Sequence, residues 1–174
     1  MAKWSFDIEV YPNIFQVVFF DLDCLDSPEK VSKGLGIKHP AVKVFSYSNE
    51  FGLNDLSKLK EFVSDKNKTF VGYNNLFYDT PVLDYVLTSR PTNEKIFEFS
   101  SSIISRLNGN GSSIQITRNI HIDEIDLMKA YAFDALGVSL KQVSINLQWW
   151  RVQDLPFKFD EPILFKNIAT LTDY

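Results

Sequence analysis

Apolar and polar residues alternate from Ser5 to Val10, with Phe6, Ile8 and Val10 on one side and Ser5, Asp7 and Glu9 on the other. That period of two is the signature of a half-buried strand. Tyr11-Pro12-Asn13 carries turn chemistry, and Ile14 to Leu22, rich in β-branched and aromatic residues, predicts a second strand that closes a hairpin. Asp26 to Pro40, with Pro28, Gly34 and Gly36, reads as an irregular loop, and Ala41 to Tyr47 as a third strand. Helical spacing then takes over. Asn54-Asp55 offers a cap to a helix that buries Leu56, Leu59, Phe62 and Val63. Thr69 to Tyr73 is a short buried strand. Asp79-Thr80-Pro81 opens the next helix, with Thr80 as cap and Pro81 in the first turn, and its apolar positions are Val82, Leu83, Val86 and Leu87. Asn93 to Leu107 predicts a further helix, Asn108 to Ser113 a Gly/Ser loop, and Gln115 to Thr117 local pairing. Ile120 to Leu127 predicts a strand, and Ser139 caps a short helix over Leu140 to Leu147. Trp149 to Pro162 reads as a loop, and Ile163 to Tyr174 begins a last helix. Strands followed by alternating helices and strands predict an α/β fold, a mixed sheet with helices packed on it.

Composition narrows the function classes. With 174 residues the chain suits one domain, and 15 Phe supply a sizeable core. The net charge of -4 gives no whole-molecule attraction for nucleic acid, so any such contact must be local or bridged by cations. A single cysteine, Cys24, excludes an intrachain disulfide and fits a reducing compartment. One Cys with two His, His39 and His121, excludes a structural zinc site. The longest apolar run, Ile14 to Phe20, is too short for a membrane span, and no leader-like segment opens the chain, so a cytoplasmic protein with no membrane partner is expected. No Gly-x-Ser-x-Gly, Ser/His or Cys/His arrangement appears, which disfavours those hydrolases. Gly34-Leu35-Gly36 lacks the context of a phosphate loop.

Asp7 and Glu9 carry the first candidate chemistry. On a strand they share a face, where two like charges repel. A divalent cation held by oxygen ligands removes the conflict, so the pair reads as half of a metal site suited to phosphoryl-transfer chemistry. The second candidate is Val71-Gly72-Tyr73-Asn74-Asn75-Leu76-Phe77-Tyr78-Asp79. It sets Asp79 where a strand gives way to a helix, the end of the sheet at which α/β proteins place ligands. Asn74 and Asn75 supply hydrogen-bonding groups, and Tyr73, Phe77 and Tyr78 supply faces for stacked bases. Asp123, Glu124 and Asp126 form a carboxylate cluster, in which Asp126 is a candidate support for the site. Trp149-Trp150-Arg151 reads as half core and half surface.

Together, Phe6-Asp7-Ile8-Glu9 and the later Asn74/Asn75, Tyr78 and Asp79 resemble the first two motifs of the DEDD 3′→5′ exonucleases, the proofreading domains of DNA polymerases, here in a phage-like form. The resemblance implies a ribonuclease H-like sheet in a single exonuclease-like domain, 1–174, cut short at its C-terminal end. It implies Mg²⁺ or Mn²⁺, two ions, with Asp7, Glu9 and Asp79 as ligands, and a single-stranded DNA 3′ end as substrate. By the same resemblance, Tyr174 is the tyrosine of the third motif and orients the attacking water, while the chain stops before the fourth carboxylate. Tyr11, Asn13, Asn74, Asn75, Phe77 and Tyr78 are the implied contacts to the terminal nucleotide, and a polymerase domain in the same parent chain is the implied partner. The competing expectation is a non-catalytic ribonuclease H-like module that binds single-stranded nucleic acid or a protein.

Overall fold

The computed structural model describes residues 1–24, 41–107, 119–131, 139–147 and 156–173. Six strands form one mixed sheet: β1 (Ala2–Tyr11), β2 (Ile14–Asp21), β3 (Val42–Ser48), β4 (Leu53–Asn54), β5 (Lys68–Gly72) and β6 (Glu124–Asp126), in the order β4-β3-β2-β1-β5-β6. β1, β2, β3 and β4 pair antiparallel in succession, while β1–β5 and β5–β6 pair parallel. This is an α/β fold whose strand order and directions are those of a ribonuclease H-like mixed sheet.

Alternation along β1 decides which face is buried. Trp4, Phe6, Ile8 and Val10 lie in the main core with Phe15, Val17 and Phe19 of β2. Against them pack α1 (Leu56–Val63), α2 (Asp79–Ser89) and α3 (Asn93–Leu107), through Leu59, Val63, Val82, Val86, Ile96 and Ile103. Phe19 is the hub of an aromatic cluster, with ring centroids 4.9 Å from Phe62, 5.4 Å from Phe70 and 5.8 Å from Phe6. The opposite face carries Ser5, Asp7 and Glu9. There α4 (Leu127–Tyr131), α5 (Leu140–Asn146) and α6 (Ile168–Asp173) leave a cavity of about 520 Å³ over the sheet. A second, smaller cluster of Tyr11, Ile14, Ile163 and Leu171 fastens the hairpin end to α6.

Several local expectations are corrected. The strand foreseen over Ile120–Leu127 shrinks to Glu124–Asp126, because the buried Asp84 carboxylate of α2 accepts the N–H groups of Asn119 (2.8 Å) and Ile120 (2.7 Å) and draws that segment off the sheet. Leu127, expected at its end, opens α4 instead. Asp55 sits at the N-cap of α1 but makes no cap, since its carboxylate takes the Ser46 N–H (3.3 Å) and Lys58 (3.0 Å). α2 begins at Asp79 with Tyr78 at the N-cap, so Thr80 is not the cap, and its hydroxyl donates to Glu124. Ser139 does cap α5, accepting the Gln142 N–H at 3.1 Å. The last helix starts at Ile168, after a 3-10 turn over Phe165–Asn167, rather than at Ile163. The loops expected over 26–40 and 108–113, the pairing over 115–117, the Trp149-Trp150-Arg151 stretch and Tyr174 lie outside the described residues. Among the described residues no helix is long and apolar enough to cross a membrane.

Candidate metal centre

Parallel pairing between β1 and β5 ends at Ser5–Val71, two residues before Asp7, whereas β1 stays paired with β2 through to Tyr11. Beyond Ser5 the β5-side edge of β1 is therefore without its strand neighbour. The chain leaving β5 turns through Tyr73–Tyr78 and enters α2, bringing Asp79 to that vacated edge. The Ile8 backbone N–H lies near the carboxylates of both Asp7 and Asp79 and partly offsets the rise in their pKa values. One backbone group of β1 thus stands close to two carboxylates from distant parts of the sequence. The crevice lies at the carboxyl ends of the parallel strands.

Asp7, Glu9 and Asp79 act on one another. Burial lifts the Asp79 carboxyl well above the usual carboxylate range, and the charge of Asp7 adds to the lift. Burial, then the charge of Asp7, pushes Glu9 up to about 8. Asp7 is reached by water through the cavities it borders, yet protein surrounds it closely enough that desolvation raises its pKa too. Among the described residues no lysine or arginine stands among the principal influences on these three groups, whose carboxyls burial and mutual repulsion hold above their ordinary range. Among the described residues no group of three or more His, Cys, Asp or Glu side chains is gathered closely enough to hold a metal ion. The carboxylates make an open, all-oxygen wall, a donor set that suits Mg²⁺ or Mn²⁺ rather than zinc.

A second cavity, about 500 Å³, lies on the other side of this wall and is lined by Asp7, Glu9, Asn74, Tyr78, Asp79 and Phe97. Its far side is the α3 surface at Ser100, Ser101 and Ile104. The Tyr78 hydroxyl is 2.7 Å from the Ser100 hydroxyl, and burial pushes its pKa up to about 12, so it stays protonated. One wall of this cavity is acidic and the others mix aromatic and aliphatic side chains with Asn74, Ser100 and Ser101, which accommodates a phosphate at one end and a flat ring at the other.

The expected site residues divide sharply. Asp7, Glu9, Asp79, Asn74 and Tyr78 meet at one cavity. Phe77 is exposed beside it. Tyr11 and Asn13, expected to touch a nucleotide, do not reach it. Tyr11 is buried among Ile14, Ile163 and Leu171. Asn13 is buried with its amide committed to Ile163, accepting that residue's N–H at 2.9 Å and donating to its carbonyl at 2.9 Å. Asn75 is fully buried and donates to Glu124 at 2.9 Å, so it supports the loop rather than facing the cavity. The loop has no slack at this point: a Cβ at Gly72 would stand 2.7 Å from the Asn75 Cβ.

The sequence reading passed over Gln16, a buried amide opposite Glu9 in the β1–β2 register. It donates to the Ser46 hydroxyl at 3.0 Å and accepts from the Thr172 hydroxyl at 3.1 Å, which docks α6 against the carboxylate-bearing face. A buried glutamine in an otherwise apolar strand was the available signal. Comparison with protein-family models, with curated proteins and with solved structures finds no match for this chain.

Proposed function

We propose that this chain is a metal-dependent 3′→5′ exonuclease acting on DNA ends, of the proofreading kind, and that it works beside a polymerase domain of the same parent chain. The observation that carries the reading is the meeting of Asp7 and Glu9 with Asp79 at the unpaired edge of β1, with raised pKa values. Asp7, Glu9 and Asp79 would hold two Mg²⁺ or Mn²⁺ ions. Bound there, such ions activate water and stabilise charge on a leaving 3′ oxygen. The chain's own part is positional. The turn between β5 and α2 brings Asp79 to Asp7 and Glu9, the α3 side of the 500 Å³ cavity receives the terminal nucleotide, and Tyr78, held by Ser100, presents a neutral ring edge to it.

The test is digestion of a 5′-labelled single-stranded DNA in Mn²⁺ by this chain and its Asp7→Ala variant. A ladder that shortens from the 3′ end and is lost in the variant is the expected result. Metal-borne charge stabilisation is worth several kcal/mol, so at about 1.4 kcal/mol per tenfold the variant loses at least about a hundredfold in rate. A non-catalytic ribonuclease H-like module that binds single-stranded nucleic acid or a protein is the second reading. It predicts no ladder and a DNA affinity that survives Asp7→Ala.

A further inference from the structure

We infer that Asp126 and Glu124 are positioning residues: from the edge strand β6 they hold the loop between β5 and α2 in the one shape that delivers Asp79 to Asp7. The inference rests on the metal-site reading of Asp7, Glu9 and Asp79. Neither β6 carboxylate borders the cavity in which those three meet. Asp126 is buried, and neutral backbone donors surround it. It accepts the N–H of Asn74 at 2.9 Å, of Met128 at 3.0 Å and of Leu76 at 3.4 Å. Asn74 has φ 60°, a left-handed conformation that costs energy in any residue but glycine and is most tolerable in Asn. The Asp126 carboxylate fixes that strained residue through its N–H, and the Asn74 carbonyl then accepts the Phe77 N–H at 3.1 Å to complete the turn. Glu124 grips the same loop farther along. One of its oxygens accepts from the Asn75 side chain at 2.9 Å and from the Thr80 hydroxyl, on the residue next to Asp79.

The loop is thus held on both sides of the residue that matters: at Asn74–Leu76 by Asp126, and at Asn75 and Thr80 by Glu124. Without these bonds nothing in the sequence of the loop compels a left-handed Asn74, and Asp79 loses its place beside Asp7 and Glu9. Groups that orient a metal ligand without touching the metal typically contribute 10–100-fold in metal affinity. A merely structural role would instead show as lost stability with unchanged affinity below the melting temperature.

The experiment is Mn²⁺ binding to the metal-free chain, followed by the electron paramagnetic resonance of free Mn²⁺ with no nucleic acid present, alongside melting temperatures. The variants are Asp126→Asn, Thr80→Val, Thr80→Ser, Asp7→Ala and, as a remote destabilising control, Ser48→Ala, which removes a buried hydroxyl bonded to the Asn13 carbonyl at 2.7 Å. Asp126→Asn and Thr80→Val should each weaken Mn²⁺ about tenfold or more. Thr80→Ser, which keeps the hydroxyl, and Ser48→Ala should bind as the parent does. If Asp126→Asn fails to fold, Thr80→Val against Thr80→Ser decides the matter alone. Parent-like Mn²⁺ affinity in Asp126→Asn and Thr80→Val, with binding lost in Asp7→Ala, overturns the inference and leaves the metal site standing. Parent-like affinity in Asp7→Ala overturns the metal reading and this inference with it.

Discussion

At the scale of single residues, Glu9 connects the site to the stability of the whole fold. Its carboxyl is pushed up to about 8 from an ordinary 4.5, by burial first and by the charge of Asp7 second. A carboxyl whose folded pKa is raised favours the folded state while it is protonated, and that contribution is lost as pH rises from about 4.5 through 8. Asp7 and Asp79 are shifted in the same direction. The metal-free protein should therefore melt at progressively lower temperature between pH 5 and pH 8, at up to about 1.4 kcal/mol per pH unit for each proton released. Glu9→Gln should flatten that slope and raise the melting temperature at pH 8 in a chelator. Mn²⁺ should restore the parent and do much less for the variant. A parent whose stability in chelator is level or rising across this range contradicts the electrostatic account of the site. The residues behind this behaviour were legible in the sequence, because strand alternation alone puts Asp7 and Glu9 on one face. Asn13 and Tyr11 were not. A polar residue in a turn beside a motif looks like a ligand contact until its partner is known, and the partner of Asn13 is the backbone of Ile163, 150 positions away.

Among the elements, legibility followed how local the cause was. β1, β2, α1 and α3 came from periodicity, and α5 from its cap at Ser139, since each has a short-range origin. β6 was overestimated because its real limit is set by a carboxylate on another helix, Asp84, which takes the Asn119 and Ile120 N–H groups that a longer strand would have offered to β5. α4 was missed because its first residue, Leu127, continues the apolar pattern of the strand before it. The last helix was begun too early because Ile163 is apolar for another reason: it plugs the hairpin end, held there by Asn13. That latch yields an element-scale prediction. Asn13→Ala leaves the N–H and carbonyl of Ile163 buried without their partner and unfastens the approach to α6 from the β1–β2 turn. Leaving such groups unsatisfied costs about 1–3 kcal/mol, which for a chain of this size is a fall in melting temperature of roughly 2–12 °C. Thr172→Val, which removes the hydroxyl that Gln16 accepts from at a half-buried position, should cost less, about 0.5–1.5 kcal/mol. If chemical denaturation ranks the two variants the other way round, the docking of α6 depends on Gln16 rather than on the hairpin latch.

For the molecule as a whole, the central question is how a chain of net charge -4 would hold a polyanion. Proteins that neutralise six to ten phosphates with Lys and Arg lose roughly 10³–10⁵ in affinity between 50 and 200 mM salt, because each contact releases a counterion. If, as proposed, this acidic chain meets one phosphodiester through cations on Asp7, Glu9 and Asp79, and a terminal nucleotide through the α3-side cavity, it has few such counterions to release. Its affinity for a short single strand bearing a non-cleavable phosphorothioate 3′ end should accordingly fall by less than about tenfold over the same salt range at saturating Mn²⁺. The same affinity should collapse when the divalent ion is chelated, because the three carboxylates then repel the strand instead of bridging to it. Fluorescence anisotropy of an end-labelled oligonucleotide reads both dependences in one titration. A shallow salt slope with a steep divalent requirement is what recognition through metal and end predicts. A steep salt slope that persists without divalent ions would locate the contact on a local basic surface away from Asp7, and would favour the binding module over the nuclease.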